Sequence, residues 1–261
     1  MNKLKIGIAG LGTVGKGVYD ILKKDAKILE KKSQTVFEVV AAASRSKKDF
    51  LDSNIKFYSN VLDLAADPEI DVIIEVMGGV GVAKDLMEAA IKNGKKFVTA
   101  NKALLAEHGA EISEFVEKHN GHIAFEASTA GANPVIKAFK ESFTANEITE
   151  FYAILNGTCN FILTKMGAEG SDFAATLKEA QSLGYAEADP TFDIKGIDTA
   201  HKLTILASIA SSTKPAFKQL HIEGIEQVSA NDIKLADDLG FKIKLLAIYK
   251  KLADGLRFIK I

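Results

Sequence analysis

The chain has 261 residues, 47% of them hydrophobic and 26% charged, and its 33 Lys and Arg against 34 Asp and Glu leave a formal net charge of −1. The near-cancellation argues against a nucleic-acid partner, which a basic excess would accompany, and the apolar share is enough to bury a core. A single cysteine, Cys159, excludes an intramolecular disulfide, and the apolar run behind Met1-Asn2-Lys3 is too short for a signal peptide or a membrane span, so a cytoplasmic protein with no membrane partner is expected.

In chain order, Leu4, Ile6, Ile8 and Ala9 form a strand that runs into glycines, and Val14, Val18, Ile21, Leu22 and Leu29 predict one amphipathic helix behind it. Residues 37–43 read as a second strand, stopped by Ser44-Arg45-Ser46-Lys47-Lys48, and residues 71–76 as a third, closed by Met77-Gly78-Gly79. A helix over 82–91, a strand over 97–100, a helix over 104–118 and a strand over 123–125 follow. Strands alternating with helices imply a parallel sheet with right-handed crossovers and helices on both faces. Past Pro134 the rhythm changes. A β-rich segment over 148–155 precedes helical segments over 159–166, 173–183 and 197–209, and two strands over 242–249 and 256–261 are expected around an Asp254-Gly255 turn. The fold class is α/β: an N-terminal parallel sheet over residues 1–133, joined at a packed junction to an α+β domain over 134–261.

Gly10-Leu11-Gly12-Thr13-Val14-Gly15 follows the first predicted strand and opens the first predicted helix. The first glycine permits a tight turn, the second lets the backbone approach a pyrophosphate, and the third allows close packing of helix on strand. In this context the motif is a dinucleotide-binding fingerprint and makes the N-terminal sheet Rossmann-type. The end of the second strand lacks the acidic residue that would grip a ribose 2′-hydroxyl. Arg45, with Ser44, Ser46, Lys47 and Lys48, suits a 2′-phosphate, which favours NADP with NAD as the alternative; a solvated basic turn would have the same composition.

Lys102 follows a strand's C-terminal end, the edge at which open α/β sheets bind ligands, although a lysine also commonly starts a surface helix. Lys202 has Ile205, Leu206 and Ile209 at i+3, i+4 and i+7, so it lies on the apolar stripe of its own helix, with Asp198 one turn earlier on that face. The pair is either a structural ion pair or a proton donor with its carboxylate. Upstream, residues 183–193 concentrate Glu187, Asp189 and Asp193 in a loop that is either merely wet or a site for a substrate ammonium group. Cys159 has no adjacent histidine to activate it, and the five histidines show no metal-ligand spacing.

Taken together, Gly10 to Gly15, Thr99-Ala100-Asn101-Lys102-Ala103-Leu104-Leu105, Asn156-Gly157-Thr158-Cys159-Asn160-Phe161-Ile162-Leu163 and the run from Leu183 to Lys202 resemble the signature segments of the homoserine dehydrogenase family. The resemblance covers residues 4–210. It implies a reversible, NAD(P)-dependent interconversion of L-aspartate 4-semialdehyde and L-homoserine in threonine, methionine and isoleucine biosynthesis. By position, Lys202 is the implied proton donor, Asp198 its holder, and Lys102 a second cation between nicotinamide and substrate. Glu187, Asp193, Tyr185 and Thr158 are the implied substrate-binding residues, and Gly184 joins Leu11, Thr13, Val14 and Arg45 toward the cofactor. The family's monovalent-cation loop, for Na⁺ or K⁺, maps onto Glu126, Thr129, Gly131 and Asn133. There Ala132 replaces a glycine, which restricts the loop's dihedrals. The resemblance also implies a homodimer formed through the second domain, and a further C-terminal segment returning to the nucleotide domain. The chain is therefore expected to be a truncated form. The alternatives are a catalytically weak or silent NADP-binding fragment, or another amino-acid dehydrogenase of the same architecture; aspartate-semialdehyde dehydrogenase is disfavoured because Cys159 lacks a base.

Overall fold

A computed structural model describes residues 2–252 and the backbone of residues 257–260. The chain divides into two units, residues 1–134 and 135–261. In the first unit, β1 (Asn2–Ala9), β2 (Thr35–Ala43), β3 (Lys56–Tyr58), β4 (Val72–Glu75), β5 (Lys96–Thr99) and β6 (Ile123–Ala124) form one sheet in the order β3-β2-β1-β4-β5-β6. Every neighbouring pair is parallel. Parallel pairing demands crossovers. These are built from α1 (Thr13–Lys24), α2 (Ala26–Ser33), α3 (Leu62–Ala66), α4 (Gly81–Lys92) and α5 (Lys102–Lys118). Leu64, Leu86, Met87, Leu104 and Ile112 pack in one core cluster, while Tyr19, Leu51 and Ile55 pack with Ile6 and Ile8 in another. Cover on both faces explains why the strands read as continuous apolar runs rather than as alternation.

The single helix expected behind the glycines is two. The chain breaks at Asp25 (φ −101°, ψ 14°), which ends α1 and caps α2, and Val14 and Ile21 are exposed rather than buried. β3 and α3 escaped the pattern because three and five residues are too few to show a period.

In the second unit, α6 (Val135–Lys137) and a π-helical turn over 138–142 lead to β7 (Glu150–Ala153), α7 (Gly157–Glu169), α8 (Phe173–Ser182), α9 (Thr191–Ile194), α10 (Ile197–Ser211), α11 (Ala230–Asp238), β8 (Ala247–Lys251) and β9 (Arg257–Lys260). The three strands form an antiparallel sheet in that order. Cys159, Ile162 and Met166 of α7 meet Leu203 and Ala207 of α10 and Tyr249 of β8 in one core. The strand expected from residue 242 starts only at Ala247. Its partner β7 ends at Ala153, the register partner of Ala247, and ahead of the ladder Lys244 Nζ donates to Asn160 Oδ1 (2.9 Å) and Thr164 Oγ1 (2.6 Å) on α7. The expected Asp254-Gly255 turn lies outside the described residues. Among the described residues, no helix is long and apolar enough to cross a membrane.

Candidate active site

Five strands of the first unit end on one row. Tyr58, Ala43, Ala9, Glu75 and Thr99 are register partners across β3, β2, β1, β4 and β5, so the loops behind them leave from the same C-terminal edge. The strand order reverses between β1 and β4, where open parallel sheets take their ligands. Gly10 sits there at φ +100°, and a Cβ on it would stand 2.8 Å from the Val76 carbonyl oxygen. A Cβ on Gly15 would overlap the Gly10 carbonyl oxygen, so α1 could not approach the strand so closely. Gly12 is different: nothing within 4 Å would meet its Cβ, which leaves open space before the first turn of α1. That turn has no side-chain cap and no acidic residue, so its N–H groups and the positive helix end remain available to an anion. Thr13 and Val14 are exposed beside it. Leu11 points into the core and has only its backbone to present.

Arg45, Ser46, Lys47 and Lys48 are exposed just past Ala43. Ser44 Oγ donates to the Ser46 carbonyl (2.6 Å) and shapes the turn. Among the described residues, Arg45, Lys47 and Lys48 make no ion pair. Lys102 begins α5, half-buried, behind Asn101, whose Oδ1 caps the helix by accepting from Leu104 N–H (3.1 Å). An apolar hollow lined by Leu4, Phe37, Ile74, Val98 and Ile123 lies along the strand bodies, away from this edge, and has no carboxylate in its wall.

The second unit assembles side chains. Lys202 Nζ donates to Asp198 Oδ2 (2.7 Å) and to the Leu155 carbonyl (2.6 Å). An ammonium group has three N–H donors, so among the described residues one has no partner. Asn156 Nδ2 donates both to Asp193 Oδ1 (2.7 Å) and to Asp198 Oδ2 (3.0 Å). Its Oδ1 accepts from Cys159 N–H (2.8 Å), which caps α7. Asn156 and Asp198 are buried, and the Lys202 side chain is 19% exposed. Asp198 also lies in the first turn of α10, where the helix dipole favours an anion. Lys202, Asp198, Asn156 and Asp193 are thus one hydrogen-bonded unit. Asn156 was not among the residues singled out from sequence. Its place ahead of Gly157 signals a helix cap, but nothing local signals that its amide reaches two carboxylates.

Burial pushes the Cys159 thiol up to about 12, with the Asp193 and Asp198 carboxylates adding to the effect. Its Sγ donates to the Asp193 carbonyl (3.2 Å). A thiol so held is an inert core group rather than a nucleophile.

In the acidic loop, Thr158 Oγ1 donates to the Tyr185 carbonyl (2.7 Å), and the Tyr185 ring lies 4.7 Å from that of Phe161. The loop is therefore tied to the first turn of α7. Gly184, at φ +77°, follows the end of α8, where a left-handed residue stops a helix. Glu187 is exposed, and among the described residues its carboxylate has no partner.

In the loop expected to hold a cation, Glu126 and Thr129 meet in a turn, Thr129 N–H donating to the Glu126 carbonyl (3.4 Å). Among the described residues, Thr129 Oγ1 is buried with no hydrogen-bond partner, an oxygen that a small cation would satisfy. Gly131 and Asn133 are exposed, and Asn133 N–H donates to the Ala130 carbonyl (2.8 Å). Ala130 (φ +50°) and Ala132 (φ +68°) both take left-handed backbone, which costs an alanine about 1–2 kcal/mol. The restriction expected at Ala132 therefore takes the form of strain, since the loop keeps a conformation suited to glycine.

Residues 10–126 match the family model described as homoserine dehydrogenase, NAD binding domain, and residues 134–260 match the model described as homoserine dehydrogenase. The homoserine dehydrogenase of Neisseria gonorrhoeae is 44% identical over 258 residues, which make up 98% of this chain and 59% of that protein. A crystal structure of a homoserine dehydrogenase from Thiobacillus denitrificans aligns with a TM-score of 0.95 at 43% identity, covering 99% of this chain and 60% of that one. A hyperthermophilic archaeal homoserine dehydrogenase in complex with NADPH aligns with a TM-score of 0.77 at 26% identity, covering 99% of this chain and 81% of that one. The chain spans 59% of the length of the first curated relatives it matches.

Proposed function

The chain belongs to the homoserine dehydrogenase family, and from that membership we propose that it interconverts L-aspartate 4-semialdehyde and L-homoserine with NADP, a step toward threonine, methionine and isoleucine. The observation that carries this reading is the Lys202 ammonium, held at two of its three N–H groups by Asp198 and the Leu155 carbonyl.

A bound nicotinamide cofactor would supply the hydride for the aldehyde carbon. Negative charge then builds on the aldehyde oxygen, and the free N–H of Lys202 is the proton that neutralises it. Asp198 holds the lysine through its Oδ2. Asn156 divides its two N–H donors between Asp198 and Asp193, fixing both acids relative to the lysine. Glu187, with its uncommitted carboxylate, takes the substrate ammonium group, while Thr158 and Tyr185 hold its loop in place. Lys102, at the start of α5, offers a positive charge at the C-terminal edge of the first unit's sheet. The open space at Gly12 and the uncapped start of α1 receive the pyrophosphate, and the unpaired Arg45 favours a 2′-phosphate, hence NADP over NAD. Na⁺ or K⁺ bound at Glu126, Thr129, Gly131 and Asn133 fits the orphaned Thr129 oxygen. A homodimer through the second unit accords with the exposed Tyr152 and Ile154 beside its three-stranded sheet. The cytoplasmic location expected from sequence is part of the same proposal.

The test is homoserine-dependent reduction of NADP⁺ by this chain. Formation of reduced cofactor only when L-homoserine is present is the expected result. A chain that binds NADPH but turns over no homoserine would instead be the silent cofactor-binding fragment.

A further inference from the structure

A carboxylate that none of these steps uses lies buried under the sheet edge of the first unit. Glu75, the last residue of β4, has no solvent exposure. Its Oε1 accepts from the N–H groups of Met77 (2.8 Å) and Gly78 (3.2 Å), and its Oε2 accepts from Thr99 Oγ1 (2.6 Å). The links continue from there. Thr99 Oγ1 accepts from Asn101 N–H (2.9 Å), Asn101 Nδ2 donates to the Gly79 carbonyl (2.5 Å), and Asn101 Oδ1 caps α5 through Leu104. The loop after β4 and the start of α5 are thereby closed into one ring of hydrogen bonds anchored on a single side chain.

A buried acid is costly unless its oxygens are satisfied, and here three donors converge on it with no counter-cation among them. Val72 and Ile73 of the same strand fill the neighbouring core with alkyl groups. The ring does shape a surface. Gly78 and Gly79 both take φ +74°, and a Cβ on either would meet nothing within 4 Å, so the loop faces open space. Glu75 is in register with Ala9, the residue before Gly10, and on its other side with Thr99. The ring therefore stands on the β4–β5 side of the switch point, opposite the β2 end with its basic turn. A dinucleotide fold divides its ligand along that line, one mononucleotide to each half of the sheet.

We propose that Glu75 is a positioning residue for the nicotinamide half of the cofactor: it sets the loop over residues 77–79 and the Lys102-bearing start of α5 in the single arrangement to which that half binds. The inference rests on the nicotinamide-cofactor reading above. The adenosine half is held by β1, α1 and the basic turn, which contribute no side chain to the ring.

Calorimetric titration of two ligands separates the halves: NADPH, and adenosine 2′,5′-bisphosphate, which carries the adenosine half alone. Glu75→Gln and Thr99→Val are expected to weaken NADPH about tenfold, the scale of one lost buried hydrogen bond, and to leave the bisphosphate unchanged. Thr99→Ser keeps the hydroxyl and is expected to bind NADPH as the wild type does. Should Glu75→Gln fail to fold, the Thr99 pair carries the test, because it removes one link and leaves the acid with both backbone donors. Equal weakening of both ligands, or of neither, overturns the proposal. A wild-type chain that binds neither ligand marks a different failure, that of the cofactor reading itself.

Discussion

A ligand approaching the first unit at its sheet edge meets main chain: two glycines that could carry no Cβ, a third with space before it, and a helix start with no side chain over its N–H groups. In the second unit the equivalent place is filled by side chains, with Lys202, Asp198, Asn156 and Asp193 joined by hydrogen bonds of 2.7–3.0 Å. The two constructions fail differently. A backbone site is damaged by adding an atom and is indifferent to most changes around it. A side-chain network is damaged by removing any one member, because the others are left buried with unmet donors and acceptors.

The contrast is tested most severely at Asn156. Asn156→Ala strips a donor from two acids at once, and turnover of homoserine is expected to fall about tenfold to a hundredfold with NADPH affinity unchanged. Steady-state kinetics beside calorimetry would read this, and a variant with wild-type turnover would reduce Asn156 to a helix cap. The glycines supply the matching experiment in the first unit. Gly15→Ala forces a methyl group onto the Gly10 carbonyl and is expected to lower unfolding stability by about 1–3 kcal/mol. Gly12→Ala, which meets nothing, is expected to leave stability unchanged and weaken NADPH binding. If Gly12→Ala left binding intact, the pyrophosphate would have to lie elsewhere.

A pH-dependent effect comes from the thiol. Cys159 is held up at about 12 from an ordinary 9.0, so the folded chain keeps a proton that the unfolded chain loses. Its contribution is fully present below pH 9.0 and falls as pH rises toward about 12, by about 1.4 kcal/mol per pH unit for this group. Urea unfolding of Cys159→Ala across that range is expected to show a shallower loss than the wild type; identical slopes would contradict the burial of the thiol. Smallest of all, Ala132→Gly removes a left-handed alanine and is expected to raise the denaturant midpoint, by about 0.5–1 kcal/mol in stability.

The same contrast explains what could be read from sequence. The fingerprint was legible because a glycine's necessity is local: its neighbours in the chain create the turn that requires it. The Lys202–Asp198 pair was legible because four residues make one helical turn. Asn156 was not, since its carboxylate partners stand 37 and 42 residues away and only the fold brings them together. Glu75 and Thr99 read as ordinary strand ends for the same reason, being 24 residues apart. Among the elements, the long periodic helices were plain, while the break at Asp25 has neither proline nor glycine to announce it. The late start of β8 at Ala247 follows from where β7 ends, at Ala153, a partner nearly a hundred residues away that no hydrophobic pattern records.

The central claim is that the cofactor is held by the first unit and the proton by Lys202 of the second. It is tested most directly by Lys202→Ala, with homoserine oxidation and NADPH binding measured on the same preparation. Turnover is expected to fall on the order of a thousandfold while NADPH affinity stays at the wild-type value. A variant that oxidises homoserine at near the wild-type rate would contradict it.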